Sequence, residues 1–399
     1  MEGKRFIRTI RLQNILSYGP DTAELRLEPL NVLIGPNASG KSNLIDVLSI
    51  IQAAPRNLPR PIRRGGGTHE WLWKGRDELV PATVDITVDY PDGIMPLRYM
   101  LSFSEIRHRF DLHDERIENE RPQPGHYEPY LYYRYQQGRP VLNVRAQTGN
   151  HRFDRSLQSE DVHPEKSILS QRRDPDSYPE LTYLANQFER IGLYREWNLG
   201  PYAPHRLPQK VDLPQDSLME DSLNLGLVVN DLINRPPVKR ELLERLRVFY
   251  SDIEDINTKI TGSAVEVFFH ERGLHHPVPA IRLSDGSLRY LCLLAILCHP
   301  DPHLVTCIEE PELGLHPDII PEIAELLIKA SERSQIIVTT HSDILVDALT
   351  NVPESVIICE KKEGSTQLRR LDNESLKPWL ERYRLGELWS KGEIGGNRW

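Results

Sequence analysis

Residues 35–42 read Gly35-Pro36-Asn37-Ala38-Ser39-Gly40-Lys41-Ser42 and fit the pattern G-x-x-x-x-G-K-[ST], the Walker A phosphate loop. Its flanks carry as much weight as the motif. Before it, Leu30-Asn31-Val32-Leu33-Ile34 is a short apolar run with β-branched residues and predicts a strand. After it, Asn43–Ile51 places apolar residues at helical spacing. Strand, glycine loop and helix are the geometry a phosphate site needs. The glycines let backbone N–H groups curl around phosphate oxygens, and the helix N-terminus adds positive potential. Lys41 then reaches the β- and γ-phosphates, Ser42 ligates Mg²⁺, and Asn43 opens the helix beside them. A nucleoside triphosphate site is the expectation.

Working outward, residues 6–34 alternate apolar and polar positions and predict a β-meander leading into the loop. The segment Pro55–Gly67, rich in Pro, Arg and Gly, predicts a long exposed loop that is not helical. Strand alternation resumes at Ala82–Tyr90 and Leu97–Phe103 around the turn Pro91-Asp92-Gly93, and a second hairpin is expected at Tyr130–Arg145. From about 160 to 255 the periodicity is helical, with Pro-rich breaks at Gly200–Pro204 and Arg235–Pro237. Strands are expected again from Val265, then a helix from Ser287. Two apolar strands follow, Leu304–Ile308 and Gln335–Thr339, joined by a helix over Pro321–Ser331. That last βαβ pattern predicts parallel pairing.

The first of these two strands ends in Glu309-Glu310, the Walker B arrangement. It would bring both acids to the carboxyl edge of the sheet beside the phosphate loop. Glu309 is expected to hold the Mg²⁺ shell and Glu310 to polarise the attacking water, because phosphoryl transfer is driven mainly by metal charge and water positioning. The second strand ends at Thr340-His341, where a histidine is either a structural residue or a switch contacting the γ-phosphate. Between these elements, Ser284-Asp285-Gly286-Ser287 precedes a helix. It reads either as a simple cap or as another anion-binding helix N-terminus.

Motif order and spacing now resemble an ABC-type ATPase head of the RecF/SMC-like group. The chain is more closely similar to bacterial "AAA family" ATPases related to the ATPase halves of OLD nucleases. The resemblance rests on GPNASGKS (35–42), LSDGSLRYL (283–291), CIEEPELGLHP (307–317) and VTTHSD (338–343). It covers about 6–90 and 260–350 well, 91–259 weakly, and includes the closing Gly386-Glu387-Leu388-Trp389…Gly395-Gly396. It implies that Ser284–Ser287 form the ABC signature, that Gly314–Pro317 form the D-loop, and that two copies close head-to-tail around two ATP molecules. Three features depart from the family pattern. The signature has Asp285 and Ser287 in place of Gly and Gln, the first acid is Glu309 in place of Asp, and no glutamine marks a Q-loop, since Gln52 lies on the loop helix.

The expected fold is thus α/β, a P-loop NTPase of ABC-head type: a mixed, mainly parallel sheet flanked by helices, with an antiparallel β lobe and a helical insertion. Its expected divisions are an N-terminal ATPase lobe at 1–160, a helical arm at 161–255 and a C-terminal ATPase lobe at 256–399. The expected cofactors are ATP and Mg²⁺, and the expected assembly is an ATP-dependent homodimer or a higher oligomer.

Net charge of −9 argues against wholesale coating of nucleic acid, though basic clusters occur at Arg56/Arg60/Arg63/Arg64 and at Arg152/Arg155/Arg172/Arg173. DNA is therefore a candidate partner, and a separate protein effector is the other. OLD nucleases carry a nuclease domain after the ATPase, whereas 58 residues follow His341 here, and no D-x-D pattern is found among them. Intrinsic nuclease activity is not expected. A transporter subunit is a poor fit because the interval from Ser42 to Leu283 is long. Cys292, Cys298, Cys307 and Cys359 form no C-x-x-C pair and read as buried thiols in a reducing compartment. The N-terminus has no apolar signal region, and Leu291–Cys298 is too short to cross a bilayer, so a cytoplasmic protein without membrane association is expected. His270 with His275-His276 lacks convincing metal-site spacing. Trp71, Trp73, Tyr132 and Tyr133 read as core or interface aromatics more readily than as base-stacking ones.

Overall fold

The computed structural model describes residues 3–396 except 77, 79, 137, 149–151, 160, 161, 164 and 199. Its centre is a six-stranded sheet in the order Ile191–Tyr194, Val305–Glu309, Gln335–Thr339, Leu30–Ile34, Val356–Lys362, Ser365–Arg370. All neighbours pair parallel except the last two, which form an antiparallel hairpin. Leu30–Ile34 and Gln335–Thr339 are buried at every residue, as strands covered on both faces must be.

Side-chain alternation along these strands builds two cores. Leu33, Ile337, Ile357 and Cys359 face one way, against the phosphate-loop helix Lys41–Ala53 and the antiparallel lobe. Val32, Ile34, Ile336, Val338 and Ile358 face the other way, against the helices Asp285–Leu297 and Ile320–Ser331. The period-2 pattern therefore fixes which helices cover which face.

The antiparallel lobe is an eight-stranded sheet. It starts with Leu25–Arg26, Ile7–Gln13, Ala82–Val88 and Leu97–Ile106, then continues through Arg109–Asn119, Leu131–Gln136, Arg139–Thr148 and Arg152–Ser159. Both expected hairpins are present, with Val88 opposite Leu97 and Gln136 opposite Arg139. Gln335, fully buried, ties the two sheets together. Its Oε1 accepts from Ile7 N at 2.8 Å and its Nε2 donates to Ile7 O at 2.8 Å. A small third sheet pairs Ala264–Glu271 with Ile253–Thr261, Gln209–Lys210 and Val278–Pro279.

Three expectations need correction. The meander stops short of the loop, because Leu30–Ile34 leaves it to join the parallel sheet, where both its faces are buried. The Pro/Arg/Gly stretch contains the short helix Pro59–Arg64, since Pro59 occupies a first-turn position where no amide donor is needed and Ile62 is buried. The stretch from 161 to 255 is helical at Pro179–Phe188, Leu225–Ile233 and Pro236–Phe249, but it also supplies the edge strand Ile191–Tyr194. That strand is only four residues long. It requires Gly192, where a Cβ would stand 2.4 Å from His303 Cδ2.

All four cysteines are free and buried. No helix among the described residues is long and apolar enough to cross a membrane.

Candidate functional site

The loop after Leu30–Ile34 turns sharply before the helix Lys41–Ala53 begins. Gly35 has φ 149° and Gly40 φ 99°, and a Cβ at Gly35 would fall 2.2 Å from the carbonyl oxygen of Cys359. The loop is clasped from outside by the turn that follows Ile7–Gln13. Tyr18 Oη donates to Gly40 O at 2.9 Å, Asn43 Nδ2 donates to Ser17 Oγ at 2.7 Å, and Thr366 Oγ1 lies 2.8 Å from Ser39 O.

Lys41 Nζ donates back to the carbonyls of Gly35 and Pro36 at 2.8 and 3.0 Å. Burial pushes its pKa below the ordinary lysine value, while Glu310 and Glu309 pull against that shift. The ammonium is thus held within the loop that would cradle a phosphate.

Glu309 and Glu310 follow one another at a strand end but face different surroundings. Glu309 Oε2 accepts from Arg195 Nε at 3.0 Å, and the same guanidinium pairs with Asp46 of the loop helix. Burial works against the charge on Arg195, but the two carboxylates together hold its pKa above the ordinary value. Glu309 Oε1 is buried with no hydrogen-bond partner among the described residues. Glu310 has φ 44°, an uncommon left-handed conformation for a residue with a side chain. Its N–H donates to Thr339 O at 2.9 Å, which keeps the two strand ends side by side. The Glu310 carboxylate stands 3.7 Å from His341 Nε2. Glu312 reinforces this edge by accepting from Thr340 Oγ1 at 2.6 Å and from His341 N at 3.1 Å.

A cleft of about 770 Å³ joins the loop, Glu310 and His341, while Glu309 sits outside its lining. Asn37, Ala38, Gly40, Lys41, Ser42 and Asn43 of the loop and helix start line it together with Glu310 and His341. Ser17, Trp73, Lys74 and Lys361 also line it, and no sequence motif marks them as site residues. Gly35, Pro36 and Ser39 belong to the same loop but are not part of the cleft lining. The orphaned oxygen of Glu309, the exposed Ser42 hydroxyl and the Glu310 carboxylate are hard oxygen donors. That set fits Mg²⁺, which takes few protein ligands alongside phosphate and water. Among the described residues no cluster of three or more His, Cys, Asp or Glu is arranged as a metal centre, His270, His275 and His276 included.

Ser284–Ser287 do not line the cleft. Ser284 Oγ caps its helix by accepting from Ser287 N at 3.0 Å, and Asp285 accepts from Arg206 Nη2 at 2.6 Å and from Gly200 N at 3.1 Å. The turn packs on the Gly314–Leu315 segment, whose Gly314 O would lie 3.3 Å from a Cβ at Gly286. Trp71, Tyr132 and Tyr133 are buried, as core aromatics are. Gln52 donates to Ile191 O and to Glu220, and it is not among the residues lining the cleft.

Residues 30–347 match the family described as "AAA domain, putative AbiEii toxin, Type IV TA system". The chain belongs to this family. Over 100 residues it is 30% identical to the chromosome partition protein Smc of Mycolicibacterium paratuberculosis and 29% identical to that of Mycobacterium tuberculosis. Each match takes in 24% of this chain and only 8% of the relative's length.

Among solved structures, the SmcHead bound to the C-winged helix domain of ScpA superposes with TM-score 0.58 at 14% identity, over 93% of this chain and 99% of that one. The Pyrococcus furiosus Smc head domain with an extended coiled coil gives TM-score 0.53 at 12% identity, over 94% and 98%. The family member thus has an SMC-head-like P-loop fold, a mixed sheet with flanking helices and an antiparallel lobe.

Proposed function

We propose that the chain binds ATP with Mg²⁺ in this cleft, hydrolyses it slowly, and uses the cycle as a switch in DNA maintenance or antiphage defence. The observation that carries the reading is the convergence of Lys41, Ser42, Glu310 and His341 on one cleft from three separate strand ends. The phosphate loop and Lys41 bind the triphosphate, and Lys41 exchanges its two carbonyl partners for phosphate oxygens. Ser42 and Glu309 hold Mg²⁺, which supplies charge for the developing phosphoryl oxygens. Glu310 orients the attacking water, and His341 senses the γ-phosphate beside it.

Two copies close head-to-tail, each offering Ser284–Ser287 to the triphosphate of the other. The position of that turn outside its own cleft supports this arrangement, because a capped helix N-terminus there has anionic phosphate to meet only on a partner. Light scattering of Glu310→Gln protein with ATP and Mg²⁺ tests it, with a dimer expected. Protein that stays monomeric while binding ATP removes the head-to-tail model.

A second reading is a sensor or scaffold whose ATP-clamped dimer holds a separate effector such as a nuclease or toxin. It is favoured by the family description, which names a toxin–antitoxin system, and by the ScpA domain bound to one similar head. Copurification from the host with and without ATP, read by native mass spectrometry, separates it from direct action on DNA.

A further inference from the structure

The chain leaving the edge strand Ile191–Tyr194 makes contacts that no motif announces. Arg195 bridges Asp46 on the phosphate-loop helix and Glu309 at the end of the acidic strand. Two residues on, Trp197 Nε1 donates to the carbonyl of Glu309 at 3.0 Å. The indole also lies under the guanidinium of Arg289, 4.5 Å from ring centroid to Cζ. Arg289 comes from the helix that begins at the signature turn. It is almost fully buried, and its Nη2 donates to the carbonyl of Glu310 at 2.5 Å.

The far end of the segment is anchored on the signature turn itself. Gly200 N and Arg206 Nη2 both donate to Asp285, and Arg206 Nη1 donates to Leu283 O at 2.6 Å. Arg206 is 9% exposed. Residues 195–198 and 200–206 therefore grip the loop helix, Glu309 and the signature turn, chiefly through side chains, and Arg289 adds the contact to Glu310.

We propose that Arg195, Trp197 and Arg206 form a coupling strap, through which magnesium–triphosphate at Glu309 and the Ser284–Ser287 turn set each other's position. The strap deepens the reading of the cleft as an ATP–Mg²⁺ site and rests on it. Arg195 is the sensing end. It neutralises Glu309 and fixes Oε2, so that only Oε1 is left to face the cation. Arg206 is the reporting end, bonded to the signature turn and not itself part of the cleft lining. Trp197 fixes the Glu309 carbonyl and Arg289, stacked over its indole, fixes the Glu310 carbonyl, so the peptides on both sides of the Glu310 Cα help hold it in its left-handed conformation. These three are positioning residues.

Coupling between two sites is reciprocal, so disturbing the signature end must change binding at the cleft. The test is titration of a fluorescent ATP analogue into the full chain, once with excess Mg²⁺ and once with EDTA, with Lys41→Ala as the blank. Arg206→Ala is expected to weaken the Mg²⁺-dependent affinity by about five-fold or more, while the affinity in EDTA stays at the wild-type value. A general packing defect would lower both. Arg206→Lys should recover part of the loss. Trp197→Phe, which keeps the ring under Arg289 but removes the indole donor, should give the same magnesium-specific loss. It also serves as the variant of choice should Arg206→Ala fail to fold. The double variant should be no weaker than the weaker single, because both break one chain of contacts. Wild-type affinity in Mg²⁺ for both single variants, or equal losses in Mg²⁺ and EDTA, overturns the strap and leaves the ATP site intact. Wild-type protein that binds no better than Lys41→Ala overturns the ATP reading itself, and the strap with it.

Discussion

Glu310 and His341 stand 3.7 Å apart, carboxylate to imidazole, although they follow two different strands. What holds them is the parallel pairing of Val305–Glu309 with Gln335–Thr339, finished by the Glu310 amide donating to Thr339 O. The pair lines the same cleft as Lys41.

Glu310→Gln should keep nucleotide binding and lose hydrolysis by on the order of 10²-fold or more, the usual scale for removing a group that handles a proton in the transition state. Lys41→Ala should lose binding. Binding titrations and single-turnover phosphate release check the two together, and a Glu310→Gln protein hydrolysing at the wild-type rate would remove Glu310 from the mechanism.

Gly40→Ala should destabilise the loop by on the order of 1–3 kcal/mol. The added methyl would meet Thr366 Oγ1 at 2.3 Å and Ser17 Oγ at 2.5 Å, at a φ of 99° that residues with a Cβ rarely adopt. Thermal unfolding reads the loss, and nucleotide affinity should fall with it.

Stability should carry a falling component with pH from Glu115. This fully buried carboxyl accepts from Tyr99 Oη at 2.8 Å, Ser167 Oγ at 2.5 Å and Ile168 N at 2.9 Å. Burial raises its pKa above 4.5 in the fold despite those bonds. The folded state then binds the proton more tightly than the unfolded one. The stabilisation is complete below the unfolded pKa and is lost as pH rises through the folded one. Urea midpoints between pH 5 and 8 should show this slope in the wild type and a flatter one in Glu115→Gln.

Charge reversal at Arg60, Arg63 and Arg64 should weaken duplex DNA binding and make its salt dependence shallower. These residues are exposed on the helix Pro59–Arg64, where Arg63 stands 3.8 Å from Glu165. The neighbouring Arg56 and Arg173 are both paired with Glu189, so the patch is smaller than the sequence implies. Side chains of Arg152 and Arg155 lie outside the described residues. Equal affinity of wild type and variant in fluorescence anisotropy would dismiss this helix as a DNA contact.

The strand–loop–helix at 30–53 was legible because its chemistry is local. The glycines answer to backbone angles, the apolar run to burial on both faces, and the lysine to its place at a helix start. The βαβ unit at 304–339 was legible for the same reason, since its parallel pairing follows from the length and period of its parts. The edge strand Ile191–Tyr194 was not. Four apolar residues among helical neighbours have no period to read, and only the vacant edge beside Val305–Ile308 makes them a strand. The helix Pro59–Arg64 escaped because burial of Ile62 by distant residues outweighs a composition that disfavours helices.

The sequence alone determined that a phosphate loop, a strand with two acids and a strand with a histidine exist, because each is specified by residues close together in the chain. Only the tertiary structure decided that Arg195 occupies Glu309, that Glu312 holds the His341 loop, and that Arg206 reaches the signature turn. Those partners lie roughly 30 to 115 positions apart, and a side-chain contact at that separation is set by how sheets and helices stack, which no local pattern of residues records.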